Sequence, residues 1–371
     1  VLLLGVSLAA CAAVYSGCGG PTDAPFSASP DPSLGADVAV VLVQVADRAE
    51  LAVVDLARFS VASRVPLRSL SLSIDGDLAS RRVVSAQCGG PGTSADRAVG
   101  IYDVDRGGLV RYVELEAPNP TSVAVEGGQA FVVHGFEQPQ GLVTSLLNVG
   151  IRPAPITSYA PSTATRPERV GDRIFLPIGA SLVPAEKPVA GPCSELGIPE
   201  AGTVSVIATL PVDSSVVLGT DMRSEEIVCV GPRRSAAGTP EWLAFRLDRR
   251  SGRVLAEAVI PGVEKGLFDG CVLEGEIALA DADGMDLDDA GDRVLMLDAS
   301  TLELRREIRI DGMPAAVKPW GSSLLVVDGL NGRLLLFGDG ESTPGRTLDL
   351  GGTPGGTADL VVFGTGENIW R

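Results

Sequence analysis

The chain has 371 residues, 45 % of them hydrophobic and 45 of them glycine, which is enough to bury a large core. A net charge of −17, with lysine limited to Lys187, Lys265 and Lys318, argues against a nucleic-acid partner, because phosphate binding needs a basic surface. The same charge argues against adsorption to anionic lipid head groups, and it carries no information about fold.

The first element is the apolar run "VLLLGVSLAACAAVYSGCGG". Only about 15 residues precede polar sequence, so it fits the h-region of an export signal and not a membrane span. No basic residue comes before it, so either Val1 is an alternative start or residues lie upstream. Leu8-Ala9-Ala10-Cys11 is similar to the lipobox of bacterial lipoproteins, in which the cysteine is lipidated; Tyr15-Ser16-Gly17-Cys18 is the alternative, with Tyr where Leu is usual. A cleaved signal with incidental cysteines is the plainer reading. Residues 1–18 are therefore expected to be a signal and lipobox region. Residues 19–36, rich in Pro, Ser and Asp, should form a disordered tether, and 37–371 the folded domain.

From there a repeat governs the chain. Asp55 is followed by Val65 and Leu67, Asp103 by Val113, Leu115 and Pro120, Asp248 by Ala258 and Ile260, and Asp298 by Ile308, Ile310 and Pro314. Near the end Gly338 takes the place of Asp, followed by Leu348, Leu350 and Pro354. Each unit reads as four short strands, here a to d from the axis outward, for example Pro314–Val317, Leu324–Val327, Gly332–Phe337 and Arg346–Leu350. The d strands are expected to end near 67, 115, 159, 210, 260, 310 and 350, the third and fourth units being placed by interpolation and by "TVSVIATLPV". A four-stranded sheet of this period cannot cover both its faces alone, and radial stacking leaves few exposed edges.

The expected fold is therefore all-β, a seven-bladed β-propeller. The chain enters with "ADVAVVLVQVADRAELAVVDL", which reads as strands b and c without an a strand, and leaves with "GGTADLVVFG", which reads as that missing strand. One blade would then be shared between the two ends, closing the ring. The pattern V-x-D…L-x-R-x-I-x-I…G-x-P-x-x-V…L-V-V, cleanest at 293–337, resembles the YVTN-type repeat propellers, a seven-bladed bacterial family. The family's signature tetrapeptide is replaced by "FVVH", "IVCV" and "LVVD". The resemblance implies a fold and leaves function open, since such propellers include enzymes, binding proteins and surface proteins.

Connection lengths are uneven. The c–d turns are short ("DVDRGG", "DRRSGR", "DASTLE"), each after an Asp able to accept backbone N–H bonds. The b–c connections are long at 87–97, 134–141, 179–201, 231–241 and 281–292, and all should leave the same face. His134, Arg233 and Arg234 are the binding-face candidates there; the two arginines would pair with acidic groups, bind an anion, or remain solvated. The single histidine rules out a two-histidine metal site and ligation of haem by several histidines. "DADGMDLDDAGD" supplies a hard-cation candidate, calcium at Asp281, Asp283, Asp286 and Asp288, against a solvated acidic loop. Four cysteines remain in the body, Cys88, Cys193, Cys229 and Cys271, and Cys193–Cys229 is the expected disulfide.

Two functions follow. One is an exported lipoprotein of the cell envelope that binds or scaffolds through the long-loop face, with a protein or small-molecule ligand and no catalytic residues. The other is a metal-assisted hydrolase or lactonase with its site at the channel mouth. The scarcity of histidine and the lack of a nucleophile motif favour the first.

Overall fold

The computed structural model describes residues 34–45, 48–87, 96–115, 117–134, 142–147, 154–159, 168–170, 173–178, 194–200, 203–213, 216–218, 225–234, 239–263, 266–282, 292–352 and 359–364. Among them, the strands form seven four-stranded antiparallel sheets. The first contains β1 (Val38–Val45), β2 (Arg48–Asp55) and β3 (Ser60–Pro66), with β28 (Asp359–Phe363) as its innermost strand, in the order β28-β1-β2-β3. The second is β4 (Ser71–Asp77), β5 (Arg82–Gln87), β6 (Ala98–Asp103) and β7 (Gly108–Glu114). The third is β8 (Pro120–Glu126), β9 (Gln129–His134), β10 (Leu142–Leu147) and β11 (Ala154–Tyr159). The fourth is β12 (Glu168–Val170), β13 (Arg173–Ile178), β14 (Ser194–Glu200) and β15 (Thr203–Leu210). The fifth is β16 (Val216–Leu218), β17 (Glu226–Arg234), β18 (Pro240–Asp248) and β19 (Val254–Ile260). The sixth is β20 (Leu267–Leu273), β21 (Glu276–Asp281), β22 (Arg293–Asp298) and β23 (Leu304–Arg309). The seventh is β24 (Pro314–Trp320), β25 (Ser323–Asp328), β26 (Arg333–Phe337) and β27 (Arg346–Asp349).

The sequence of β1, VAVVLVQV, is apolar at both parities because both of its faces are covered. Val38, Val40 and Leu42 pack with Ile74 and Val83 of the second sheet, while Ala39, Val41 and Val43 pack with Leu325, Val327 and Leu334 of the seventh. The same division of alternate residues fills the gap between the sixth and seventh sheets and that between the fifth and sixth. Each fully buried aliphatic side chain contributes about 1.5–3 kcal/mol, so the spaces between sheets are the main source of stability.

The c–d turns explain the repeat. Asp55, Asp103, Asp248 and Asp298 each end a c strand and accept a turn N–H: Arg58 N at 2.9 Å, Arg106 N at 2.9 Å, Ser251 N at 2.7 Å and Thr301 N at 2.8 Å. The residue four places on must adopt a left-handed conformation, as Phe59 (φ 54), Gly107 (φ 62), Gly252 (φ 67) and Leu302 (φ 64) all do. Glycine does so without strain. Phe59 and Leu302 offset the strain by burying their side chains between sheets. Where Gly338 replaces Asp, the Glu341 carboxylate takes over the role and accepts the Gly338 N–H at 3.0 Å.

Arginines on the outer strands link one sheet to the turn of the next. Arg306 donates to the carbonyl of Glu341 at 2.7 Å, and Arg346 donates to that of Arg58 at 2.6 Å while its guanidinium lies over the Phe59 ring.

Candidate functional site: the long-loop face

Four b–c connections are long, at residues 88–97, 135–141, 179–193 and 282–292, and a fifth, 235–239, is no longer than the c–d turns 249–253 and 299–303. Two are shorter than the sequence suggested. Residues 194–200 form β14, and Gly231–Arg234 continue β17 as far as the pair Arg234↔Pro240. Among the described residues β16 pairs with Val228–Val230, and beyond it the Pro232 carbonyl accepts the Asp213 N–H at 2.7 Å, a bond that needs no N–H from the proline. Arg233 is consequently a strand residue. It is half-buried and ion-paired with Glu241 at 3.2 Å and Glu257 at 3.5 Å. Arg234 shares the strand.

The base of this face is organised by the last residue of strand b. Gln87, His134, Asp281 and Asp328 occupy equivalent places, opposite the first residue of strand a: Ser71↔Gln87, Pro120↔His134, Leu267↔Asp281 and Pro314↔Asp328. All four are buried. Asp328 is the most fully engaged. Its Oδ1 accepts the N–H groups of Met313, Leu330 and Asn331, each at 3.1 Å, and its Oδ2 accepts Arg333 Nε at 2.9 Å. Gly312 precedes Met313 because the Asp328 carboxylate occupies the space that a Cβ there would need.

Asp281 repeats the arrangement. Its Oδ1 accepts the Gly266 N–H at 3.1 Å, and its Oδ2 pairs with Arg293 Nε at 3.1 Å. Arg293 also reaches Glu307 at 2.9 Å and the carbonyl of Gly262, as Arg333 reaches that of Asp311. Asp281 therefore belongs to an Asp–Arg clamp at the foot of the acidic connection, and both of its oxygens are engaged. Asp283, Asp286 and Asp288 lie outside the described residues. Among the described residues no group of three or more His, Cys, Asp or Glu side chains is placed to hold a metal ion.

His134 is buried, with Nδ1 2.8 Å from the carbonyl of Pro118. That contact requires Nδ1 to carry the proton. Burial lowers the imidazole pKa below its ordinary 6.5 and outweighs the opposite pull of the Pro118 carbonyl. His134 thus braces strand b against the preceding d–a connection.

On the second sheet the Tyr102 ring lies along its strand over Gly100, where a Cβ would meet Gln87 Nε2 at 2.6 Å. Gln87 Nε2 donates to Tyr102 Oη at 2.8 Å, and burial raises the Tyr102 pKa well above 10, so the phenol remains neutral. Nearby, Arg68 lies over Tyr112, donates to Glu114 at 2.8 Å and is 3.6 Å from Asp96. The sequence reading missed Asp328, Arg293, Arg333 and this cluster. A usable signal was present: an acidic residue ending strand b with an arginine opening strand c, as in "DGLNGR".

The cysteine expectation also changes. Cys229 is a free thiol, fully buried between the fourth and fifth sheets, where burial pushes its pKa up to about 12. Its side chain lies in a buried cluster with Phe175, Leu196 and Phe245. Cys11, Cys18, Cys88 and Cys193 lie outside the described residues.

Facing the axis, an aspartate on each of three innermost strands, β28, β4 and β20, serves the next. Asp359 accepts Ile74 N at 2.9 Å, Asp75 accepts Val125 N at 2.6 Å, and Asp269 accepts Val317 N at 2.9 Å. These amides lie on the axial edge of strands that have no further strand to pair with, and a buried unpaired N–H would cost about 1–3 kcal/mol. The inner strands touch in the cyclic order β28, β4, β8, β12, β16, β20, β24 and back to β28.

No protein-family model and no curated protein sequence matches the chain. Its structure is similar to that of AztD from Citrobacter koseri, with a TM-score of 0.56 at 10 % identity over 90 % of this chain and all of that one; apo AztD gives 0.53. It is equally similar to the β-propeller domain of Cps50 (Swd1) from Myceliophteria thermophila, with a TM-score of 0.56 at 13 % identity over 86 % of this chain and 98 % of that one. At such identities the likeness concerns architecture alone: the chain is an all-β protein of β-propeller fold.

Proposed function

We propose that this protein is a binding or scaffolding module that works through its long-loop face, on a seven-bladed propeller of YVTN type closed by β28. The observation that carries the reading is the asymmetry between the two ends of the sheets. At one end four turns of four or five residues are held by their own aspartates; at the other are four connections of seven residues or more, those at 135–141 and 282–292 following the buried, hydrogen-bonded strand ends His134 and Asp281. Loops held on a rigid base lose little conformational freedom when a partner docks. The net charge of −17 and the acidic connection favour a cationic or basic partner, with salt-sensitive association.

The apolar N-terminal run with Cys11, or Cys18, would display the module on the bacterial cell envelope by a lipid anchor. Replacing residues 135–141 and 282–292 with short Asn-Gly turns tests the binding role. Partner recovery by chemical cross-linking should fall while the melting temperature holds. Undiminished recovery would count against the reading.

A further inference from the structure

We infer a second docking site on the outer rim, distinct from the long-loop face: the outer edge of β19, with which no strand pairs among the described residues, and which takes an extended segment of a partner protein as a fifth strand. Outer strands present unpaired backbone groups, and proteins normally protect such edges with charge. β23 follows that rule, with Arg305, Glu307 and Arg309 on its outward face. At the same distances from the turn aspartate, β19 has Leu255, Glu257 and Val259. The alternate residues Ala256, Ala258 and Ile260 pack against the sixth sheet, leaving Leu255 38 % and Val259 49 % exposed.

Among the described residues the exposed large apolar side chains are Val110, Val206, Val254, Leu255 and Val259. All but Val110 are here. Val206 belongs to β15, against which the turn leading into β19 is pressed: a Cβ at Gly252 would collide with the Ile207 carbonyl. β15 contains no charged residue, whereas Arg306 and Arg346 fasten outer strands to the next turn elsewhere.

Two features indicate the occupant. Four partly exposed side chains offer a few hundred Å² at most, far below the about 800 Å² per partner of a stable dimer, so the site suits one strand and not a second copy. Charge then sets its direction. Glu257 is engaged by Arg233, and β19 is preceded by Arg253 in a turn that also carries Arg249 and Arg250, the latter paired with Glu225 at 3.1 Å, in a protein of net charge −17. An antiparallel addition, matching the ladder it extends, brings the partner's C-terminal end to those arginines. The segment should therefore be apolar at alternate positions and acidic at its C-terminal end.

The test uses the purified full chain and a fluorescent peptide, Lys-Val-Thr-Val-Thr-Val-Asp-Asp, followed by fluorescence polarisation. Saturable binding is expected, weakened at least about ten-fold by Leu255→Lys with Val259→Lys and by N-methylation of alternate peptide amides. Arg253→Glu, or a peptide with its acidic pair at the N-terminal end, should weaken it less. Both variants change exposed side chains, so an unaltered melting temperature should accompany them. Three results would overturn the proposal: no binding, binding indifferent to the lysine pair and to N-methylation, or a wild-type dimer in sedimentation that the lysine pair makes monomeric.

Discussion

Asp298 shows what one side chain contributes to this fold. Its carboxylate gathers the Ser300 hydroxyl, the Thr301 and Ser300 N–H groups and Arg305, and these bonds, led by the Ser300 hydroxyl, hold its pKa well below the ordinary 3.8. A depressed carboxylate pKa stabilises the folded state above the unfolded value and loses that effect as pH falls towards the folded one. Asp298→Ala should therefore melt earlier than wild type at neutral pH, with the gap closing below pH 3.8. A gap that stays constant down to about pH 2 would assign the effect to packing. His134 titrates on the other side of neutrality. Its folded pKa lies below 6.5, so the unfolded chain binds the extra proton and stability falls as pH drops below 6.5. In His134→Gln the melting temperature should change less between about pH 6.5 and pH 5 than in wild type; an identical slope would mean that the ring titrates freely.

The same logic operates between elements. Among the inner strands, Asp359, Asp75 and Asp269 occupy the axial edge where no further strand can pair, and each accepts an amide of the next sheet. Asp269→Ala should cost about 1–3 kcal/mol in denaturant melts by leaving the buried Val317 N–H without its acceptor; a change near zero would show that water replaces it. Strand placement was legible in the sequence because alternation and the turn aspartates recur. The expected d-strand ends at 159, 210 and 260 coincide with those of β11, β15 and β19, even where no Asp marks the turn. The extension of β17 through Pro232 was not legible, since proline and glycine ordinarily mark a loop, and here the proline takes part through its carbonyl, which accepts the Asp213 N–H. The Asp281–Arg293 clamp was hidden for a related reason. Six carboxylates in one run suggest a cation, and only the strand pairing Asp281↔Arg293 separates the first of them from the rest.

At the scale of the molecule, the two ends of the domain meet. β28 pairs with β1 from Val38↔Phe363 to Leu42↔Asp359, and β28 also packs on β4, where a Cβ at Gly76 would lie 2.6 Å from Val361 and 2.7 Å from Phe363. Gly76→Val should force β28 outward and lower the melting temperature, as should deletion of residues 359–371. An unchanged melt for either would mean that β28 does not hold the sheets together. The central claim is that the long-loop face is the working surface. It is tested most directly by a photo-cross-linking amino acid placed, one position at a time, at Thr93, Glu137, Glu186, Ala237 and Leu287, in the sequence of the b–c connections, and at Ala57, Asp105, Arg250, Ser300 and Asp339 in the c–d connections. Partner adducts should form from the first set and not from the second; adducts confined to the short-turn positions would contradict the assignment of the working face.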